Sequence, residues 1–305
     1  MEPQPQKSNR IRILALVILG LTIIGGSIFY SAWRSNQIIF IGVEKGSNSG
    51  LYRLDLFSGS LTLLASGHFS NPAWSPDGKR IAYVSSDGEH GSPPYHISVM
   101  DSDGGNIQQL TWGQTRHYSP TWSPNGEQIA FIGSRDYEGG SPLAIFLINI
   151  DSSGIKQLTP YAYYNYPSWS PDGSKIAFYT FAPDGIYTVD VETAEIHRLT
   201  DQWNDMFPVW SPDGEYIAFA STRDDPNDHF DIYIMRNDGT GIRRLTSDPA
   251  HDRQPSWSAD GKRIVFESNR GPEDWIYHIY IMNADGSDQK RVTEKNGTSP
   301  AWRPR

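Results

Sequence analysis

Short apolar runs recur along most of the chain, and each is bounded by Pro, Asp and Gly residues. Examples are "RIAYVS" from Arg80, "QIAFIG" from Gln128 and "KIAFYT" from Lys175. These runs are too short for helices and are rich in β-branched and aromatic residues, so they predict strands. The Pro, Asp and Gly residues between them have the backbone preferences of tight hairpin turns. Because the runs are apolar on both faces, we expect each strand to be covered on both sides.

The phrase Pro-x-Trp-Ser-Pro-Asp-Gly recurs with small changes and sets a period. Its tryptophans are residues 74, 122, 169, 210, 257 and 302, at spacings of 48, 47, 41, 47 and 45 residues. This period is typical of one four-stranded blade of a β-propeller. Each unit predicts a strand a with the Trp, a strand b after the turn, a strand c such as "DIYIMR", and a strand d that ends in Leu-Thr.

The two ends of the chain supply complementary parts of one blade. Trp302 has no strands after it, whereas "QIIFIGV" from Gln37, "GLYRLDL" from Gly50 and "LTLLA" from Leu61 are interpreted as strands b, c and d without a strand a. Joining them closes the ring and removes the edges of an open array. The predicted fold class is all-β: a six-bladed β-propeller over residues 37–305, closed by both termini and preceded by one N-terminal transmembrane helix.

The repeated phrase, an Ile-Ala-Phe strand, an Ile-Tyr-x-Met strand and a closing Leu-Thr resemble the blades of the TolB family. The resemblance covers residues 37–305 and implies a six-bladed propeller of the kind found in bacterial envelope scaffolds. Similar blades occur in prolyl-oligopeptidase-type peptidases and in oligogalacturonate lyases, so the blades alone do not define a function. TolB proteins carry an N-terminal α/β domain where this chain has an apolar segment, and the Tol–Pal partners are therefore not implied.

Residues 13–33 contain no charged side chain. As a helix they would be about 31 Å long, which matches the hydrocarbon core of a bilayer. Lys7, Arg10 and Arg12 precede this segment, so the positive-inside rule predicts a cytoplasmic tail at 1–12 and a periplasmic or extracellular propeller. The segment is interpreted as the anchor of a single-pass membrane protein, and cleavage as a signal peptide near Gly25 is the alternative.

A linker of only three residues, 34–36, joins this segment to the first predicted strand. That strand is a strand b, which starts on the side of the a-to-b turns. We therefore expect the face that carries the Asp-Gly turns to point towards the membrane. The face that carries the d-to-a and b-to-c loops is expected to point away from it.

Composition and charge exclude several classes of function. The chain has no cysteine, which excludes disulfides, thiol chemistry and cysteine zinc sites. Beyond residue 36 there are 22 basic and 34 acidic side chains, and this balance argues against nucleic acid or an anionic lipid surface as a partner. Gly-x-Ser-x-Gly, phosphate-loop and His-Glu-x-x-His motifs are absent from the sequence. We therefore predict neither catalytic residues nor a cofactor.

Variation outside the repeat is concentrated in the d-to-a and b-to-c loops, which emerge on one face of an antiparallel propeller. Variable loops on a rigid scaffold are common places for binding. The residues just before each strand a, which include Met206 and Thr298, are expected to ring the mouth of the central channel. The predicted ligand-binding residues are Asn71, Trp112, His117, Tyr118, Asn165, Tyr166, Trp203, Phe207, Arg253 and Gln254.

An aromatic, polar and weakly charged set of this kind suits a peptide segment of an envelope or secreted protein, or a glycan. The main hypothesis is a protein- or peptide-binding scaffold without catalysis. The alternatives are a carbohydrate-binding module or a metal-dependent enzyme similar to glycan lyases. In the enzyme, His68, His117 and His251 would hold a metal ion that polarises an acidic sugar and makes its α-proton more acidic. A further possibility is that the loop aromatics only cap the blades.

Overall fold

The computed structural model describes residues 36–43, 49–86, 94–135, 141–271 and 275–304. Within these ranges the chain forms 24 strands in six four-stranded antiparallel sheets. The same ranges contain no helix of the length and apolarity needed to cross a bilayer. The tail 1–12, the segment 13–33 and linker residues 34–35 lie outside them. The six-bladed, all-β fold is confirmed, and the N-terminal transmembrane helix stays a prediction.

The sheets are the six blades, numbered from the one that contains β1. The innermost strands, one per blade, are β24 (Asn296–Trp302), β4 (Phe69–Trp74), β8 (His117–Trp122), β12 (Tyr164–Trp169), β16 (Met206–Trp210) and β20 (Asp252–Trp257). The second strands are β1 (Gln37–Val43), β5 (Arg80–Ser86), β9 (Gln128–Ser134), β13 (Lys175–Phe181), β17 (Tyr216–Ser221) and β21 (Arg263–Ser268).

The third strands are β2 (Gly50–Asp55), β6 (Tyr95–Asp101), β10 (Leu143–Asn149), β14 (Asp184–Asp190), β18 (Asp231–Arg236) and β22 (His278–Asn283). The outer strands are β3 (Leu61–Ser66), β7 (Gln108–Gln109), β11 (Lys156–Gln157), β15 (Ile196–Arg198), β19 (Arg243–Arg244) and β23 (Lys290–Arg291). Antiparallel order places the connections to each innermost strand and the loops between second and third strands on one side of the ring, here called the loop face. The other connections form the turn face.

Blade 1 is assembled from both ends of the chain, in the strand order β24-β1-β2-β3. The Arg303 backbone N–H donates to the Gln37 carbonyl at 2.8 Å. Its guanidinium donates to the Gln37 side chain and the Gly78 carbonyl, and lies 4.8 Å from the centre of the Trp74 ring. Arg303 therefore ties the C-terminus both to β1 and to blade 2. The predicted closure of the ring is confirmed.

The Ser-Pro-Asp-Gly phrase is a self-contained hairpin turn. In blade 2 the Ser75 hydroxyl donates to Asp77 at 2.6 Å and accepts the backbone N–H of Arg80 at 2.9 Å. Asp77 also accepts the N–H of Lys79, and Gly78 adopts a φ of 62°. The same bonds recur at Ser170 and Asp172. The phrase is conserved between blades because its side chains satisfy the backbone of the turn.

The Leu-Thr pair at the end of strand d has a comparable structural reason. The Thr111 hydroxyl accepts the backbone N–H of Ile97, at the inner start of the third strand, at 2.9 Å. Thr159, Thr200, Thr246 and Thr293 make the same bond in their own blades. Each hydroxyl therefore satisfies a buried donor that the short outer strand does not reach.

The six repeat tryptophans join neighbouring blades, and they are only 4–9% exposed. Trp122 packs against Ala82 and Val99 of blade 2, and its Nε1 donates to the Ala73 carbonyl at 3.2 Å. Trp302 of blade 1 packs in the same way against Val265 and Ile279 of blade 6. The hydrophobic core is therefore six clusters between blades rather than one central cluster.

The closure contact predicts a large stability difference between two Trp→Ala variants. Trp302→Ala removes a 4% exposed side chain from the blade 6–blade 1 cluster and should cost about 3–5 kcal/mol. Trp203→Ala removes a 63% exposed side chain and should change stability by no more than about 0.5 kcal/mol. Urea unfolding followed by circular dichroism measures both. Equal midpoints for the two variants, or an unchanged melting curve after deletion of residues 299–305, would contradict the closure.

Candidate functional site

Each innermost strand contains a bulge at an X-Pro pair, where its pairing with the second strand shifts register. Proline has no N–H to donate to the ladder, which favours an interruption there. The residue before each proline has a φ between 49° and 56°, a left-handed conformation that is uncommon outside glycine. These six residues are Asn71, Ser119, Tyr166, Phe207, Gln254 and Ser299.

The bulges place the predicted channel residues at one level of the ring. The central cavity, of about 160 Å³, is lined by all six bulge prolines together with Asn71, Tyr166, Phe207, Gln254 and Ser299. Four of these five were predicted from the sequence. In blade 1 the lining residue is Ser299 instead of the expected Thr298. In five of the six blades the bulge turns the residue before the proline towards the axis, and this separates Tyr166 from Asn165 and Gln254 from Arg253.

Tyr166 spans the channel. Its hydroxyl belongs to blade 4 but accepts hydrogen bonds from Asn71 of blade 2 at 3.1 Å and from Gln254 of blade 6 at 3.5 Å. Phe207 of blade 5 packs edge-on against its ring, with centroids 4.6 Å apart. Burial raises the pKa of Tyr166 to about 12, so the hydroxyl stays protonated at physiological pH. One side chain, held from three other blades, therefore reaches across the channel at this level.

An aromatic cluster continues from Tyr166 towards the loop face. Tyr179 stacks on Tyr166 at 5.9 Å and meets Phe181 edge-on at 5.3 Å. Phe181 lies at the end of β13 and is 43% exposed. Aromatic pairs in these geometries add stability beyond the area that they bury. Packed rings thus connect the channel residue Tyr166 to the surface of the loop face.

Arg253 contacts a buried carboxylate beside the channel. Its guanidinium lies 3.2 Å from Glu267, and it lies over the Tyr277 ring at 4.5 Å. Glu267 is 1% exposed and also accepts the backbone N–H of Ser299 at 2.9 Å. Burial raises the pKa of Glu267, and Arg253 opposes that shift. These contacts clamp blade 6 to the closing strand of blade 1.

His117, Tyr118 and Asn165 were predicted to ring the channel mouth, but they do not line the central cavity. His117 packs edge-on against Phe131 at 5.3 Å and lies 6.2 Å from His96 of blade 2. Tyr118 contacts Tyr95 of blade 2 at 5.4 Å. His117 therefore lies at the boundary of blades 2 and 3, whereas Tyr118 contacts blade 2 and also packs against the cluster between blades 3 and 4. Asn165 donates to the carbonyl of Tyr163 at 3.4 Å and is partly exposed.

Trp112 and Trp203 are exposed on the loop face, by 61% and 63%. They lie in the connections from blade 2 to blade 3 and from blade 4 to blade 5. Within the described ranges, eight aromatic side chains are classed as exposed, and six of them are on the loop face. The six are Trp112, Tyr161, Tyr163, Phe181, Trp203 and Trp275, whereas Phe57 and Tyr216 are on the turn face.

A second recess of about 600 Å³ opens on the loop face between blades 5 and 6. Arg253, Arg270, His251, Tyr277 and the 91% exposed Trp275 contribute to its walls. Arg270 is paired with the buried Asp252, as Arg223 is with Asp205 at 2.6 Å in blade 5. The guanidinium charges in this recess are therefore already neutralised by carboxylates.

Sequence reasoning missed these two Asp–Arg pairs, although the sequence contains a signal for them. Both blades carry Asp-x-x-Pro-x-Trp followed by Phe-x-Ser-x-Arg. In each blade the Arg lies over the Phe ring of that second motif, at 5.2 Å for Arg223 and 5.5 Å for Arg270. The pairs fix the ends of β17 and β21 to the strands beside them.

The three histidines considered as metal ligands are not brought together. His68 is exposed in the connection before β4, His117 lies beside His96, and His251 lies 5.2 Å from His229. Among the residues that the structure describes, no group of three or more His, Asp or Glu side chains is arranged to hold a metal ion. This geometry gives the lyase-like alternative no ligand set in the described part of the chain.

The repeated blades also identify the family. The sequence matches the TolB beta propeller domain over residues 79–227 and 225–305. The chain belongs to the TolB β-propeller family. Among curated proteins, this TolB-like propeller is similar to the Tol-Pal system protein TolB of Hahella chejuensis (strain KCTC 2396), with 37% identity over 82 residues. That match covers 25% of this chain and only 18% of the length of the relative.

Two solved structures extend the likeness over most of the ring. TolB from Acinetobacter baumannii has a TM-score of 0.76 and 21% identity, over 90% of this chain and 68% of its own. A putative TolB from Agrobacterium tumefaciens has a TM-score of 0.68 and 22% identity, over 87% of this chain and 91% of its own. At these identities the likeness shows the fold alone. The loop face of the TolB-like propeller has to be interpreted from its own residues.

The burial of His117 predicts a pH dependence of stability. Burial, with a smaller contribution from His96, lowers the pKa of His117 to about 4, from 6.5 for a free side chain. Below pH 6.5 the unfolded chain therefore binds a proton that the folded chain does not, so stability falls as the pH decreases from 6.5 towards 4. His117→Gln should remove about 2 kcal/mol of this loss between pH 7.5 and pH 5.

Urea unfolding at the two pH values measures the effect, and His197→Gln, at an exposed histidine on β15, is the control. The control should keep the loss seen in the wild type. A wild-type loss that is unchanged by His117→Gln would show that His117 is protonated in the folded chain.

Proposed function

We propose that this TolB-like propeller is an extracytoplasmic scaffold of the bacterial envelope that binds a protein or peptide through its loop face. The observation that carries the proposal is the uneven distribution of exposed aromatic side chains between the two faces. Six of the eight exposed aromatics among the described residues are on the loop face. The repeated turns of the other face instead carry Asp-Gly and Pro-Asp-Gly sequences, whose side chains are used within the turns themselves.

The apolar surface of an exposed tryptophan is unfavourable in water, and its burial against a partner is favourable. Trp and Tyr are enriched among the residues that dominate protein–protein affinity, because a large rigid ring buries much area with few rotamers to fix. Trp112 and Trp203 are in short connections between rigid blades, so they lose little backbone entropy on binding. The negative charge of the chain and the neutralised guanidiniums favour recognition by aromatic contacts and hydrogen bonds over recognition of an acidic partner.

The roles of the predicted residues divide accordingly. Trp112, Trp203 and Trp275 are proposed to contact the partner. Tyr166, Phe207, Asn71 and Gln254 hold one another across the channel, so we propose that they shape the centre of the face. A side chain of the partner is proposed to insert into the recess between blades 5 and 6.

The proposal includes an anchor and an orientation. Residues 13–33 are proposed to span the membrane from a cytoplasmic tail at 1–12. Gln37 begins β1 on the side of the turn face, and only residues 34–36 lie between it and the segment 13–33. With a reach of about 10–11 Å for three extended residues, the turn face would lie close to the bilayer. The loop face would then point outwards, where an envelope or secreted protein can reach it.

The family supports a scaffold, and its named members include a protein of the Tol-Pal system. The match to that relative covers 18% of its length, so its partners are not transferred to this chain. The partner class is instead proposed from the chemistry of the loop face.

Loss of two loop-face tryptophans should abolish most of the affinity. The partner is first captured by cross-linking the full chain in its own envelope, and is then purified. The double variant Trp112→Ser/Trp203→Ser should raise the Kd about 30-fold or more, which corresponds to about 2 kcal/mol of buried aromatic contact. Isothermal titration calorimetry measures the Kd.

The control is Tyr216→Ser, which removes an exposed aromatic from the turn face and should change the Kd less than about twofold. Equal effects of the two substitutions would exclude the loop face as the binding surface. The loop face would also be excluded if the double variant captured every envelope protein as efficiently as the wild type does.

A further inference from the structure

The outer strand of blade 1 differs in chemistry from the other five outer strands. In blades 2 to 6 the two residues before the Leu-Thr or Val-Thr pair are all polar, and most are charged. They are Gln108-Gln109, Lys156-Gln157, His197-Arg198, Arg243-Arg244 and Lys290-Arg291. Blade 1 has Thr62-Leu63 at these positions. Lys and Arg on an edge strand are a common protection against pairing with another chain, because they are costly to bury.

The second residue of each polar pair also folds back along the edge. Gln109 donates through its side chain to the carbonyl of Thr111 at 2.8 Å. Gln157, Arg198, Arg244 and Arg291 make the same bond to the carbonyl two residues further on. Leu63 has no donor with which to make it. Five blades therefore share a side chain that covers the outer edge, and blade 1 lacks this cover.

The outer strand of blade 1, β3, is also apolar and uncharged. Leu61 is 45% exposed and Leu63 is 50% exposed. From Leu56 to Gly67 the sequence contains no charged residue. Among the described residues β3 pairs with β2 only, and it spans six residues, whereas the other outer strands span two or three. A long, uncharged, apolar edge strand is the type of edge that accepts a further strand.

We propose that β3 is an interaction edge at which two copies of this chain pair antiparallel, β3 against β3. The contact would extend blade 1 of each copy into one eight-stranded sheet. Backbone hydrogen bonds would give the affinity, and the exposed Leu61 and Leu63 side chains would pack against those of the partner copy. This inference does not depend on what the loop face binds.

The charge pattern favours a second copy as the occupant. In a twofold contact each residue near the axis meets its own counterpart, so a charged residue there meets a like charge. The outer strands of blades 4, 5 and 6 would bring Arg close to Arg in such a contact, whereas β3 brings together Thr and Leu. Among the described outer strands only β3 and β7 carry no charge, and β7 is a two-residue strand of Gln side chains, so β3 is the long apolar edge that is compatible with self-pairing.

The twist of the blade gives this dimer a definite arrangement. Successive strands rotate by roughly 20–25°, so the outer strand is turned by roughly 60–75° from the innermost strand, which follows the channel. The twofold axis of an antiparallel edge contact is perpendicular to the local sheet, and it therefore lies close to the ring axis. The two rings would stand side by side with their loop faces on the same side, as two chains in one membrane require.

The absence of native cysteine allows a direct test with the full chain in detergent. Thr62→Cys and Leu63→Cys each place one thiol on β3, and the residue nearer the twofold axis faces its counterpart at a Cα distance of roughly 4.5–5.5 Å. Under mild oxidation at least one of them should form a disulfide-linked dimer about tenfold faster than Gln157→Cys. Gln157 is the control because it is exposed at the same repeat position on β11.

A second measurement tests the edge without a cross-link. Light scattering after size exclusion should give the mass of two chains for the wild type and of one chain for Thr62→Arg/Leu63→Arg. That variant copies the Arg243-Arg244 pair of blade 5, and Lys156→Arg/Gln157→Arg on β11 should leave the dimer intact. Equal cross-linking rates at all three cysteine positions, or a wild-type mass of one chain or of many chains, would overturn the proposal. If the arginine variant fails to fold, the cysteine rates decide.

Discussion

The structure depends on the packing of each blade against the preceding one through a buried Trp on its innermost strand. A single blade has apolar residues on both faces and cannot cover either alone, so neighbouring blades have to supply the cover. That requirement makes the ring cooperative, and it makes blade 1 the critical blade because its strands come from opposite ends of the chain. Trp302 packs against blade 6 and Arg303 contacts blade 2, so these two residues close the ring on both sides of blade 1.

A rigid ring of repeated blades has two faces with different freedom to vary. The turn-face hairpins use Ser, Pro, Asp and Gly to satisfy their own backbone, which leaves few side chains for other contacts. The loop-face connections are not restricted in this way, and they carry the exposed aromatics. The X-Pro bulges link the two regions, because in five of the six blades they turn one residue of the innermost strand towards the channel and so shape the centre of the loop face.

Much of this arrangement was predictable because it rests on local chemistry that repeats. The Trp spacing predicted the blades, and the missing strand a at the N-terminus predicted the closure of blade 1. The contacts of Tyr166 were not predictable, since they join residues of blades 2, 4 and 6 that no local pattern relates. His117 and Tyr118 illustrate the same limit. Their position in the sequence pointed to the channel, but the register shift comes only after them, between Tyr118 and Thr121, and both residues contact blade 2 and do not line the cavity.

The central claim is that the loop face points away from the membrane and binds the partner. Hydrogen–deuterium exchange of the full chain in lipid vesicles, measured with and without the purified partner, tests it most directly. The account predicts that the partner slows exchange in the connections around residues 112–116, 160–163 and 201–205. Exchange in the Pro-Asp-Gly turns should be the same with and without the partner. Slower exchange at those turns on partner binding, with unchanged loop-face connections, would contradict it.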